Sequence, residues 1–242
     1  MRRVLLSIVV MTFLSNGASA ADSIKPGSYI TEGAEGTLEV SGLTPDTPMK
    51  FVIAVVGDNG HVCNVEGEIR NNQATTEDEC IIKFEPHPDR ITVIVSDVYT
   101  DACRNYCGAR AWFPGDYFPV NPFCSRSLSI RSDFSLNYKS GKFKKARDLL
   151  VKLLSECERF TDWHIQTEIR NDLAITEYHL GDKTACLKAL DPIKRTFIDD
   201  PAKTNIVFDP VEGDWATEMV KTTRFNWKKC GGELPVYSDS TK

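Results

Sequence analysis

Apolar and polar residues alternate with period two in short runs at 29–31, 37–40, 51–56, 62–69, 74–76, 81–84, 91–95 and 111–118. Turn-forming residues punctuate them, among them Gly57-Asp58-Asn59-Gly60, Asn71-Asn72 and Pro86-His87-Pro88. Alternation over four to eight residues puts one side of each run inward, so about eight short strands are expected, joined as an antiparallel meander. Such a sheet removes its exposed edges by closing into a barrel or folding into a sandwich, and both remain open at this point. One internal echo bears on closure. Pro26-Gly27-Ser28-Tyr29 opens the first strand and Pro114-Gly115-Asp116-Tyr117 recurs in the last, as would suit two strands that meet at a seam.

From about Leu128 the period changes to 3.6. Leu149, Leu150, Leu153 and Leu154 share one side of a helix beginning after Gly141, and Ile165, Ile169, Leu173, Ile175 and Tyr178 continue the pattern. Gly181-Asp182 breaks it, 185–190 resumes it, and Asp191-Pro192 marks a turn near its end. A last amphipathic stretch, 215–227, has Asp214 as a candidate N-cap and Gly231-Gly232 as its stop. The expected class is α+β: a β-domain over 21–124, then a helical domain over 125–242.

In the helical half the chain resembles tetratricopeptide (TPR) repeats. Phe134, Gly141, Phe143, Ala146, Leu150 and Leu153 fit one helix-turn-helix unit; Leu173, Ala174, Gly181, Cys186, Leu190 and Ile193 fit a second. The two glycines are 40 residues apart, longer than the usual repeat of about 34, and two units are fewer than the three that normally stack. The resemblance covers about 70 residues and implies a TPR-like binding scaffold, with no chemistry of its own.

The N-terminus places the chain in a compartment. Arg2 and Arg3, an apolar run from Val4 to Leu14 and Ala18-Ser19-Ala20 read as a cleavable signal peptide over 1–20, giving a mature chain from Ala21 that is periplasmic or secreted. No later stretch approaches the roughly 20 apolar residues of a membrane helix, so membrane insertion is not expected. In an exported chain the eight cysteines are first read as disulfides. Closeness in sequence pairs Cys63 with Cys80 and Cys103 with Cys107, which leaves Cys124, Cys157, Cys186 and Cys230 to the helical half in an open connectivity. Only one close cysteine pair is present, and its spacing does not suit zinc.

The formal net charge is −5, which argues against nucleic acid as a partner. Residues 21–124 hold 16 acids and 7 bases, whereas 125–242 hold 18 and 20. The acidity therefore belongs to the β-domain and favours a basic protein partner. Lys139, Lys142, Lys144, Lys145 and Arg147 read first as a solvated helix face, and second as a docking surface. Motifs of nucleophilic, phosphate-binding or metal-dependent enzymes are absent and the four histidines are dispersed, so neither catalysis nor a cofactor is expected.

Two projections stand out. Residues 101–110 carry Arg104, Tyr106 and Arg110 beside two cysteines, a rigid contact element if stapled, and the turn at 57–61 carries Asp58, Asn59 and His61. By size, strand pattern and cysteine use the β-domain resembles bacterial envelope proteins that inhibit lysozyme-type muramidases. That resemblance implies that Arg104 and Arg110 enter the enzyme's cleft, where glycoside hydrolysis requires two carboxylates. The leading expectation is a protein-binding module acting as an inhibitor or immunity factor against a basic cell-wall-degrading enzyme. The alternatives are a TPR-type adaptor for an envelope assembly, a small-ligand carrier using the barrel interior, and an unrecognised hydrolase.

Overall fold

Eight strands form in the computed structural model, which describes residues 23–42, 48–57, 60–95, 101–199 and 213–235; residues 1–20, read from the sequence as a signal peptide, lie outside the described residues. They are β1 (Gly27–Ile30), β2 (Gly36–Ser41), β3 (Met49–Val56), β4 (Val62–Ile69), β5 (Gln73–Thr75), β6 (Ile81–Pro86), β7 (Ile91–Val95) and β8 (Gly115–Pro119). Each pairs antiparallel with its sequence neighbour, and β1 pairs with β8 through Tyr29 opposite Pro119 and Ile30 opposite Phe118. The weak junction is between β4 and β5, joined by the two-residue turn Asn71-Asn72 and one bridge, Arg70 to Gln73. Both asparagines have positive φ, 52° and 59°, the backbone a tight hairpin demands and one asparagine tolerates. The result is a nearly closed barrel.

Alternation along the strands fills its interior. Leu38, Ile53, Ile82 and Tyr117 have no exposed surface, and Phe51 meets Phe84 edge to face at 5.0 Å. The sequence echo is also a structural one. Tyr29 donates its hydroxyl to the Lys25 carbonyl at 2.7 Å, and Tyr117 donates to the Phe113 carbonyl at 2.6 Å, each four residues upstream. Both tyrosines thereby tie down the chain entering the two strands that close the ring.

The disulfides of this half differ from the expectation. Cys63 pairs with Cys107 and Cys80 with Cys103, not Cys63 with Cys80 or Cys103 with Cys107. The reason is register. Cys63 lies on β4, whose ladder partner is β3, so Cys80, just before β6, is not its neighbour. The short helix α1 (Asp101–Arg104) ends before Cys107, so the two loop cysteines are not held one helical turn apart. Instead residues 106–108 run antiparallel to β4: Asn64 N–H donates to the Tyr106 carbonyl at 3.0 Å and Gly108 N–H to the Val62 carbonyl at 2.8 Å. The stapled loop thus covers the end of β4 that β5 leaves unpaired, which satisfies backbone groups an open edge would expose.

The second half consists of α2 (Ser127–Lys139), α3 (Phe143–Cys157), α4 (Trp163–His179), α5 (Lys183–Phe197) and α6 (Gly213–Lys229). The pairs α2–α3 and α4–α5 are antiparallel hairpins, and α6 packs on α4 and α5. Ala146, Leu150, Ala174, Cys186 and Leu190 lie in the fully buried seam, where small residues let the helices approach. Helices α2, α4 and α6 end alike. Gly141, Gly181 and Gly231 take positive φ (70°, 81° and 94°), and the next residue's N–H returns to a carbonyl of the last turn, the glycine-closed C-terminus that spares the orphan carbonyls. Two expectations are corrected. Pro192 does not end its helix, which continues to Phe197 because Ile193 and Phe197 are buried in the core while Pro192 faces solvent. Asp214 falls within the first turn of α6 rather than at its cap. The remaining cysteines pair as Cys124–Cys157 and Cys186–Cys230.

Contact between the halves runs through Arg159. Its guanidinium pairs with Glu32 and lies 4.0 Å from the Phe118 ring centroid, and Phe160 meets Phe118 at 5.6 Å.

Candidate functional site

The two projections of the β-half come together. Gly57 and Gly108 allow it: a Cβ on Gly57 would lie 2.3 Å from the Arg110 carbonyl oxygen, and one on Gly108 would lie 2.8 Å from His61 Nδ1. The β3–β4 turn therefore packs directly on the stapled loop, with His61 against Gly108. Asp58 and Asn59 lie outside the described residues. Tyr106 is half-buried against the barrel core. Arg104, expected to reach outward, is turned inward: it donates to the carbonyls of Ala111 at 2.9 Å, Ala109 at 2.7 Å and Gly108 at 3.4 Å, and lies 5.4 Å from the Trp112 ring centroid. Three carbonyls of its own loop engage this guanidinium, so its work here is to hold the loop's shape. Arg110 is exposed.

A second cluster forms on α4 where that helix faces both α2 and α6. Its residues His164, Glu168 and Asp172 recur every four positions and so share one side. Arg131 from α2 donates to Glu168 at 2.5 Å, and the Trp215 indole N–H from α6 points at the other Glu168 oxygen at 3.4 Å. Trp215 meets Trp163 at 5.0 Å and His164 at 4.2 Å between ring centroids. Trp163 is 39% exposed, so this aromatic wall is open to solvent. Beneath it α4 and α6 are locked by a buried amide network: Asn171 donates to Thr223 Oγ1 at 2.9 Å and Asn226 to Asn171 Oδ1 at 3.0 Å. The cluster is thus mounted on helices fixed against each other.

Asp172 differs from Glu168. Its carboxylate makes no hydrogen bond or close ion pair among the described residues, and burial pushes its pKa up to about 6, with Glu168 adding to the shift and Arg131 opposing it. Burial also raises the neighbouring Tyr138 phenol, and the Asp172 charge adds to that. A half-buried carboxylate lacking a partner, beside a paired one and an aromatic wall, can take up a cation: the charge is balanced and the stem of a long side chain lies on the rings.

Sequence reasoning missed this cluster. The polar stripe 164, 168, 172 was visible beside the apolar stripe 165, 169, 173, but Arg131 and Trp215 reach it only through the fold. Compared with protein-family models, with curated proteins and with solved structures, the chain matches none.

Proposed function

We propose that this is a binding protein of an exported, oxidising compartment that holds a basic side chain of a protein partner on the α4 face between α2 and α6. The observation carrying the reading is Asp172, an unpartnered half-buried carboxylate beside the Arg131–Glu168 pair and the Trp163–Trp215 wall. Four disulfides, with every described cysteine paired, support the oxidising setting, and periplasmic or secreted placement follows from the N-terminal pattern. No described helix is long and apolar enough to cross a membrane. The adaptor role, with TPR-like hairpins as scaffold, is the form this function takes. The test is a peptide array probed with the mature chain. Lysine- or arginine-containing peptides should be selected, and Asp172→Asn with Glu168→Gln should weaken the best of them about tenfold or more; selection indifferent to basic residues overturns it.

The inhibitor reading keeps one support, the loop stapled by two disulfides that presents exposed Arg110. Lysis assays against a panel of lysozymes and other wall hydrolases test it, with Arg110→Ala as the variant that should abolish any inhibition.

A further inference from the structure

Three chain segments that are distant in sequence meet at the end of the helical half where α2, α4 and α6 terminate. The rings of Phe143, at the α2–α3 turn, and His179, at the α4–α5 turn, stack 4.6 Å apart, and Gly231 beyond α6 approaches Lys183 to 4.0 Å from a Cβ placed on it. The turn of the first hairpin brings Lys139, Lys142, Lys144 and Lys145; the second brings Lys183; the end of α6 brings Lys228 and Lys229. Against these seven lysines the same segments, 139–145, 179–183 and 228–233, carry two acids, Asp182 and Glu233. All seven are exposed and none makes an ion pair within 4 Å among the described residues. Between the turns lies an open apolar dip of about 270 Å³, floored by Phe143 and Leu180 and rimmed by Lys142, Lys144 and Lys145.

Local stability does not explain the arrangement. The N-terminus of α3 carries three of these lysines, no acid in its first turn and no side-chain cap, although the helix dipole there disfavours positive charge. The equivalent turn of α5 is capped by Asp182, which accepts from Ala185 N–H at 2.9 Å. The choice of base is informative as well. The seven bases without an ion pair among the described residues are lysines, while Arg147 of the same run is taken up by Asp148 at 2.7 Å; what is presented is mobile point charge rather than planar forks set for bidentate pairing, which suits a diffuse sheet of phosphate charge better than one fixed carboxylate. We propose that this end of the helical half is a docking surface for an anionic phospholipid membrane, with the lysines over the headgroup phosphates and Phe143 and Leu180 at the interface. The acidic β-half is joined to the helices through Arg159 and Phe160, beyond the C-terminal end of α3 and so away from α3's lysine-bearing start. Docking would hold that half off the surface.

Co-sedimentation of the full mature chain with vesicles decides the matter. Phosphatidylcholine vesicles rich in phosphatidylglycerol should bind it, pure phosphatidylcholine should not, and binding should fall as salt screens the charges. Lys142→Glu with Lys144→Glu and Lys145→Glu should lower the vesicle affinity at least about tenfold while raising thermal stability slightly, since glutamates suit the start of α3; a folding defect would move stability the other way. Lys50→Glu with Lys83→Glu on the barrel should leave binding unchanged. Equal binding to both vesicle types, no effect of the triple substitution, or full displacement by millimolar inorganic phosphate, which would mark a site for the free ion, each overturns the proposal.

Discussion

Asp172 makes stability depend on pH in a direction opposite to that of most carboxylates. Its pKa stands at about 6 in the folded chain against an ordinary 3.8, so between these values the native state holds a proton that the unfolded chain has released. Stability from this group is fully present below about pH 4 and is lost as pH rises through 6. A shift of about two units corresponds to roughly 3 kcal/mol at most, at about 1.4 kcal/mol per unit, and partial exposure brings the expected loss nearer ~1–2 kcal/mol. Asp172→Asn removes the charge and keeps the shape. Guanidinium unfolding with disulfides intact should give equal midpoints for wild type and variant near pH 3, and a variant more stable by ~1–2 kcal/mol at pH 8. Glu177, also raised by burial, contributes a slope in the same direction to both proteins and cancels in the difference. A wild-type to variant difference that is the same at both pH values, or a variant less stable at pH 8, refutes the reasoning.

Arg104→Ala should lower stability by about 2 kcal/mol, because three carbonyls lose a charged donor, and chemical denaturation measures the loss. Gly57→Ala puts a methyl against the Arg110 carbonyl and should cost about 2 kcal/mol or more; Gly108→Ala, which meets the movable His61 ring, should cost less, and chemical denaturation ranks the two. Non-reducing peptide mapping should link Cys63 to Cys107 and Cys80 to Cys103, and Cys80→Ala with Cys103→Ala should cost about 3 kcal/mol by opening a closed loop.

The parts of the fold legible in the sequence were those carried by local period. Eight runs of alternation became eight strands because burial on one side of a pleated strand needs only that alternation, and Gly141 and Gly181 marked hairpin turns because only glycine readily takes that backbone. The Pro-Gly-x-Tyr echo was legible for the same reason, each tyrosine reaching back four residues. Disulfide pairing was not, since it depends on which strand borders β4, and nearness in sequence misled. Arg104 shows the limit for sites. A basic side chain in a stapled loop looks identical in sequence whether it serves a partner or its own backbone, and three carbonyls turned inward decided between them. The α4 cluster needed side chains 37 and 47 residues from Glu168, Arg131 with an atom 2.5 Å from it being one of those distant contributions and Trp215 the other.

The covalent links divide the molecule as the chemistry does. Two disulfides stay within the β-half and two within the helical half, whose core Cys124 joins although it ends the stretch 21–124, and none links the barrel to the helices. Each half is small enough that its hydrophobic burial leaves little margin over chain entropy, which is where disulfides contribute most. The contacts described between the halves are the exposed Arg159–Glu32 pair, Arg159 over the Phe118 ring and Phe160 against the same ring. An exposed pair contributes about 1 kcal/mol or less, so the halves depend more on their own staples than on each other. The two binding surfaces proposed on the helical half, one for a basic side chain on α4 and one for phosphate charge at the turns, could then act without straining the barrel. Equally, a ligand that stabilises one half should leave the unfolding of the other where it was.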